Sequence, residues 1–387
     1  MEKISIVIYN AIMNYGTFGI ALGATIVALF IVQIALCIGL YGRVASFRLT
    51  SRRKVRDTEP PVSVIVPIFS DDTDYLDGAL MKLLGQNYKE FEVVAVYVGN
   101  NEDFFADLKS LQRLYAHLSP VHIDYSPRYP VSTKIALNVG IKSAKYDFVV
   151  MTTADTVPSS ERWLSLLAKG FLYGDIVLGY CGVAPSKGWL NLIFREYRLA
   201  DSVAWISSAI RRKTYSASRS ALGFTRDLYF SVRGFGHLNM SVGEDDLFVQ
   251  QIATQENVSV VLSPLVTCTE RPWGGWSWWL HRTCELRTTH RHYPKDARLP
   301  MLFELLLRVL FFASVIVAVA TMPWEFALAA TILALLRLFV VLFVFVRNAR
   351  RLNEGGLVAH HILFDIFEPW LRLLVILSTP RGGKKWK

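Results

Sequence analysis

Two acidic turns and one aromatic, basic run hold the residue types able to do chemistry. Asp155 stands at the end of an apolar run, in Thr152-Thr153-Ala154-Asp155-Thr156-Val157-Pro158. A carboxylate at a strand end can hold a hard divalent cation, which takes oxygen ligands and bridges protein to substrate phosphates. A lone Asp in that position also serves as a helix cap. The second turn, Gly243-Glu244-Asp245-Asp246-Leu247-Phe248, sets three acids side by side ahead of an amphipathic stretch with Leu247, Val249 and Ile252. Adjacent carboxylates repel one another, which raises the pKa of at least one and makes it a better proton acceptor near neutral pH. Helix capping and dipole compensation account for one or two of these acids but not for three. The third feature runs from Trp273 to Tyr293 and places four of the ten tryptophans within seven residues, followed by His281, Arg282, Arg287, His290 and Arg291. The indoles suit a membrane interface. The cations can donate several hydrogen bonds to a diphosphate or a lipid headgroup, or act as plain anchors.

These turns need a scaffold, and the segment between Asp57 and Pro300 reads as one. Val62 to Phe69 (VSVIVPIF) is a β-branched run suited to a strand buried on both faces. Helical spacing over Leu76 to Leu84, strand over Phe91 to Val98, helix over Phe104 to His117 and strand over Val121 to Tyr125 follow. Lys134 to Ser143 is then helical, and Phe148 to Thr153 is again a buried strand. This alternation predicts an α/β domain with a mostly parallel sheet and ligands at the carboxyl ends of its strands. No G-x-G-x-x-G follows the first strand and no G-x-x-x-x-G-K-[ST] occurs, so dinucleotide and P-loop sites lose their main support. Trp189 to Tyr215 is helical, aromatic and basic, and is expected either to shape an acceptor pocket or to pack plainly.

The rest of the chain points to a membrane. Of 387 residues, 52% are hydrophobic and 19% charged, too apolar for an ordinary soluble enzyme and far from disorder. Phe18 to Tyr41 has 24 residues without a charge, about 36 Å as a helix and enough to cross a bilayer core. Arg43, Arg48, Arg52, Arg53, Lys54 and Arg56 follow it, placing the downstream chain in the cytoplasm by the positive-inside bias. Leu305 to Met322 and Phe326 to Val346 form a hairpin that returns to Arg347, Arg350 and Arg351. A last apolar stretch, Leu357 to Leu377, carries His360, His361, Asp365, Glu368, Pro369 and Arg372 and ends near Arg381, Lys384, Lys385 and Lys387. With cations on both flanks it is expected to lie in the interface. Arg337, inside the third span, is expected to snorkel or pair with Glu304, or to meet a lipid phosphate. The division is thus 1–56 for the first membrane helix and basic linker, 57–300 for the α/β domain, and 301–387 for the hairpin and interfacial helix. Four cysteines without a C-x-x-C pair support neither a zinc knuckle nor a disulfide framework. The net charge of +10 fits attraction to anionic headgroups and diphosphates without calling for nucleic acid.

Taken together, the text resembles membrane-bound family 2 glycosyltransferases. The resemblance covers roughly Pro60 to Arg291 and rests on PPVSVIVPIF, on Lys134-Ile-Ala-Leu-Asn138-Val-Gly140, on TTADTVPSS, on Val232-Arg-Gly-Phe-Gly236 and on GEDDLF. It implies a GT-A nucleotide-diphospho-sugar transferase domain flanked by transmembrane helices, an inverting transfer from a nucleotide-sugar donor, and Mg²⁺ or Mn²⁺. Asp155 matches the metal-binding second acid of the D-x-D motif and Asp245 the base of the E-D motif, with Glu244 and Asp246 beside it. Lys134, His281, Arg282 and Arg287 are then expected around the diphosphate, the last three standing where the family has Q-x-x-R-W. Two departures stand out: Thr153 replaces the first acid of D-x-D, and Val98-Gly99-Asn100-Asn101 stands where the family usually has base-reading acids. The implied acceptor is a lipid or lipid-linked glycan at the inner membrane, with the catalytic domain cytoplasmic. A processive polysaccharide synthase and a non-catalytic scaffold in envelope glycan assembly are the alternatives.

Overall fold

The computed structural model describes residues 2–128, 130–235, 242–272 and 274–380, with side chains from residue 16 onward. Trp273, Gly236 and the cations from Arg381 to Lys387, which figure in the expectations above, lie outside the described residues. Among the described residues, ten strands form two sheets. The larger has the order β3 (Leu118–Ile123), β2 (Phe91–Val98), β1 (Val62–Ile68), β4 (Phe148–Met151), β8 (Leu222–Thr225), β6 (Ile176–Leu178) and β9 (Val258–Val260). The smaller joins β5 (Thr156–Pro158), β10 (Cys268–Glu270) and β7 (Cys181–Val183). In the larger sheet only β8 runs antiparallel to its neighbours, so the sheet is mostly parallel, as the alternation of elements predicts.

The central strands show why that pattern was readable. Every residue of β1 is buried, and β2 is buried from Glu92 to Val98, because helices cover both faces. Chain order reverses across β1: β2 and β3 lie on one side and β4 on the other, which opens a crevice at the carboxyl ends of β1 and β4. Asp155 follows β4 at that point.

Nine helices matter below, numbered in chain order: α1 (Gly16–Ser46), α2 (Glu102–Leu114), α3 (Thr133–Ser143), α4 (Trp189–Ile210), α5 (Asp246–Ile252), α6 (Trp276–Arg287), α7 (Lys295–Thr321), α8 (Trp324–Arg351) and α9 (Val358–Ser378). The residues after β2 become a cap: Asn101 Oδ1 accepts the Phe104 amide at 3.1 Å and starts α2, while Asn100 holds the backbone of Tyr125 on both sides. Gly140 of α3 lies against the sheet, where a Cβ would stand 2.5 Å from Ile65 Cγ2 and 2.9 Å from Val96 Cγ2.

Among the described residues α1, α7 and α8 are long and apolar enough to cross a membrane. They pack around Ile26, Phe311, Ala318 and Ala330 and leave Ile31, Ile316, Leu335 and Phe339 exposed on the outside. Both hairpin helices run beyond their apolar stretches, since their polar ends continue helically toward the α/β domain. α9 turns its charges inward: Asp365 and Glu368 are buried, while Leu363, Phe367, Trp370 and Leu377 are exposed. Arg337 corrects one expectation. It is 3% exposed and pairs with Asp365 of α9 and with Gln33 of α1 at 2.7 Å, whereas Glu304 accepts from the Tyr41 hydroxyl. Snorkelling and a lipid phosphate are both excluded by that burial, because the carboxylate it needs comes from a helix distant in sequence.

Candidate functional site

The acidic turn is shaped by its backbone. Gly243 has φ +110°, a conformation an L side chain rarely adopts, and it reverses the chain ahead of α5. Asp245 then caps the helix, its Oδ1 accepting the Asp246 amide at 2.9 Å. The three adjacent acids have three different fates. Glu244 is 2% exposed and accepts from Arg219 at 2.5 Å. Asp246 is turned away and accepts from the hydroxyls of Thr289 at 2.5 Å and Tyr293 at 2.6 Å. Only Asp245 faces a cavity.

That cavity, about 380 Å³, is lined by Asp155 and Thr153 from the end of β4 and by Asp245 from the acidic turn. The two turns, ninety residues apart in sequence, therefore share one crevice at the carboxyl end of the sheet. α6 adds Trp278, Trp279, Arg282 and Arg287, and α4 adds Phe194, Tyr197, Arg198 and Asp201. Arg219, Glu270 and Arg271 complete the polar wall. Five arginines facing three aspartates and one glutamate leave a cationic surplus suited to a diphosphate.

Electrostatics separates these groups. Burial, with Asp246 and Glu244 beside it, pushes Asp245 up to about 7, against the pull of Arg219 and the Asp246 amide. Burial also raises Asp246, opposed by its bonds from Thr289 and Tyr293. Glu270 moves the other way: burial favours its protonated form, but Arg198, the Ser220 hydroxyl and Arg219 hold it below the usual carboxylate range. It is a fixed anion that positions Arg198 at 3.2 Å and Ser220 at 2.5 Å. Burial and the neighbouring Arg287 hold His290 down to about 3, so its ring is neutral. Burial lowers Arg287 as well. No ion pair engages Arg287 among the described residues, which leaves its donors for a ligand, whereas Arg282 also pairs with Glu285 at 2.6 Å.

Several expected site residues lie elsewhere. Lys134 does not line the cavity: it is 7% exposed beneath the acidic turn, and its Nζ donates to the Val242 carbonyl at 3.0 Å. Burial lowers its pKa despite the three nearby acids. Lys134 thus supports the acidic turn from beneath. His281 is exposed on the far side of α6 and does not line the cavity either. Glu244 and Asp246 do not line the cavity. Nor is the tryptophan cluster simply an interfacial belt: Trp279 is 8% exposed and stacks on Phe194 with centroids 5.0 Å apart. Thr153, in place of a first acid, bonds the Thr156 hydroxyl at 2.8 Å.

Residues not foreseen are Arg198, Arg219, Glu270 and Arg271, while His290, expected among the cationic donors, is neutral. The α4 members had a readable signal, since Phe194, Tyr197, Arg198 and Asp201 follow i, i+3, i+4, i+7 spacing on one helical face. Glu270 and Ser220 had none, because they meet only where the two sheets come together.

For a divalent cation, the carboxylate at the end of β4 is Asp155, which lines the cavity. Among the described residues no group of three or more His, Cys, Asp or Glu side chains forms a closed cage. Magnesium commonly binds through one or two carboxylates, with substrate phosphates and water completing its shell. The residues therefore fit a site completed by the donor.

A mostly parallel sheet with acids and arginines at its carboxyl edge is the GT-A fold. Residues 63–211 match the family model described as Glycosyl transferase family 2, so the chain carries that domain and is a glycosyltransferase. Among solved structures, it is similar to the mannosyltransferase PcManGT from Pyrobaculum calidifontis in complex with GDP-Man and Mn²⁺. The identity is 18%, covering 90% of this chain and 99% of that one with a TM-score of 0.54, a likeness of fold. The S. aureus TarS fragment 1–349 in complex with UDP-GlcNAc is 15% identical over 78% of this chain and 90% of its own. At a TM-score of 0.41 it carries no argument. No curated protein matches the chain by sequence.

Proposed function

We propose that the protein is an inverting glycosyltransferase that moves a sugar from a nucleotide-diphosphate donor onto a membrane-associated lipid or lipid-linked acceptor, with its α/β domain on the cytoplasmic side of the inner membrane. The observation that carries this reading is the shared cavity of Asp155 and Asp245. The acceptor hydroxyl oxygen attacks the anomeric carbon, the bond from that carbon to the phosphate oxygen breaks, and its electron pair leaves on the diphosphate. Asp245, poised near neutral, takes the hydroxyl proton. Arg287, Arg282 and Arg198 face the charge that develops on the leaving group. Asp155 would hold a Mg²⁺ or Mn²⁺ that neutralises part of that charge when bound. Attack from the face opposite the leaving group inverts the anomeric centre.

The cationic run after α1 supports the cytoplasmic placement. Three membrane helices among the described residues are too few to enclose a polymer channel, which favours transfer of one or a few sugars over processive synthesis. The fate of Asp245 and the unpaired Arg287 favour catalysis over a scaffold. Calorimetry with nucleoside diphosphates, with and without Mn²⁺, followed by a donor screen for released diphosphate, tests the proposal. Metal-dependent binding and turnover are expected; absence of both overturns it.

A further inference from the structure

A second cavity, about 140 Å³, opens between α1, α4, α7, α8 and α9. Asp201 of α4 lines both this cavity and the one holding Asp245. Polar surface inside a membrane bundle is costly and marks function by default. On the α1 side it is bordered by Cys37 and Tyr41, the two ends of a π-helical segment, a distortion frequent at functional sites.

The polar groups of this lining specify a chemistry. Its three guanidiniums are each ion-paired within the protein: Arg337 on Asp365, Arg308 on Asp365 at 2.8 Å and on Glu368 at 2.5 Å, and Arg372 on Glu368. Glu304 and Asp201 add two further carboxylates, so acids outnumber cations four to three. Asp201 has no ion-pair or hydrogen-bond partner among the described residues. Three buried polar atoms of the lining also lack a protein partner there: Arg308 Nε, a donor; Asn348 Oδ1, an acceptor; and His361 Nε2. Asn348 is 3% exposed and its amide orientation is set by Nδ2 donating to the Tyr41 carbonyl at 3.1 Å. An ionised phosphate offers only acceptors and meets a net negative wall. A hydroxyl both donates and accepts, and so suits a wall that offers carboxylates such as Asp201 beside donors.

We infer that this cavity admits the acceptor and selects a neutral, hydroxyl-bearing head, a glycolipid and not a lipid phosphate, with Asp201 handing that head to Asp245. The inference rests on the transferase reading above. Its probes are a diazirine-bearing octyl β-D-glucoside, a diazirine-bearing dodecyl phosphate and free glucose as competitor, applied to the full chain in phosphatidylcholine nanodiscs. Photolabelled peptides are mapped by mass spectrometry. The glucoside is expected to label α4 and α8 residues of the lining and to resist competition by free glucose. Labelling should be lost in Val341→Phe and in Ala204→Leu, which fill the cavity from opposite walls. Both variants should keep metal-dependent nucleoside diphosphate binding by calorimetry, which also shows that they fold. Labelling of the lining by dodecyl phosphate alone overturns the neutral-head assignment. Competition by free glucose overturns the lipid source. No labelling of the lining while nucleotide still binds overturns the cavity assignment and leaves the transferase reading standing. Loss of nucleotide binding in the unsubstituted protein removes both.

Discussion

Asp245→Asn keeps the shape of the side chain and its cap on the Asp246 amide while removing the proton acceptor. Loss of a general base costs about 10² to 10⁴ in rate. The pH profile discriminates more sharply. The rise of Asp245 from 3.8 to about 7 corresponds to roughly 4 kcal/mol between its protonation states. A carboxyl raised in the folded protein favours the protonated form, so the base is lost as pH falls through about 7. Turnover (kcat/KM) should therefore fall about tenfold per unit below that midpoint and level off above it. Arg219 pulls the midpoint down, so Arg219→Gln should shift the limb to higher pH, whereas Glu244→Gln removes a like charge and should shift it lower. His290 also lines the cavity and ordinarily titrates near neutrality, but it is held down to about 3, so His290→Asn should leave the limb in place. The assay is diphosphate release in nanodiscs with the screened donor, between about pH 5 and pH 9. A flat profile through that range, or an unchanged limb in an Asp245→Asn protein of near-normal turnover, refutes the reasoning.

Other expectations are independent of the base. Asp155→Asn should abolish the Mn²⁺ dependence of nucleoside diphosphate binding in calorimetry, because the side chain lines the cavity and is exposed there. Asp365→Asn strips Arg337 and Arg308 of a shared buried partner and should cost about 3–5 kcal/mol, read as a lower unfolding temperature in detergent. Gly140→Ala forces a methyl onto Ile65 and Val96 and should cost about 1–3 kcal/mol without altering the pH limb of surviving activity.

The sheet domain was legible because its signal is local. A strand buried on both faces must be a continuous apolar run, and β1, β2 and β4 are such runs, with boundaries that differ from the reading by a few residues at most. Asp155 and Asp245 were legible as turns at element ends, and the three apolar helices by length alone. Lys134 shows the limit of a motif: its spacing marks α3, yet whether its ammonium reaches a ligand or the Val242 carbonyl depends on where the acidic turn lands.

The amino-acid order by itself determined the class of fold, the long apolar helices and which carboxylates could do chemistry, since each follows from periodicity and residue type within a dozen neighbours. Tertiary structure alone decided which of three adjacent acids lines the cavity. Desolvation and the placement of Arg219, Thr289 and Tyr293 depend on contacts made 25 to 47 residues away. For the same reason it decided that Arg337 meets Asp365 and that Asp201 joins two cavities. A charge's partner is chosen by the packing of helices, and no local pattern records which helices will touch.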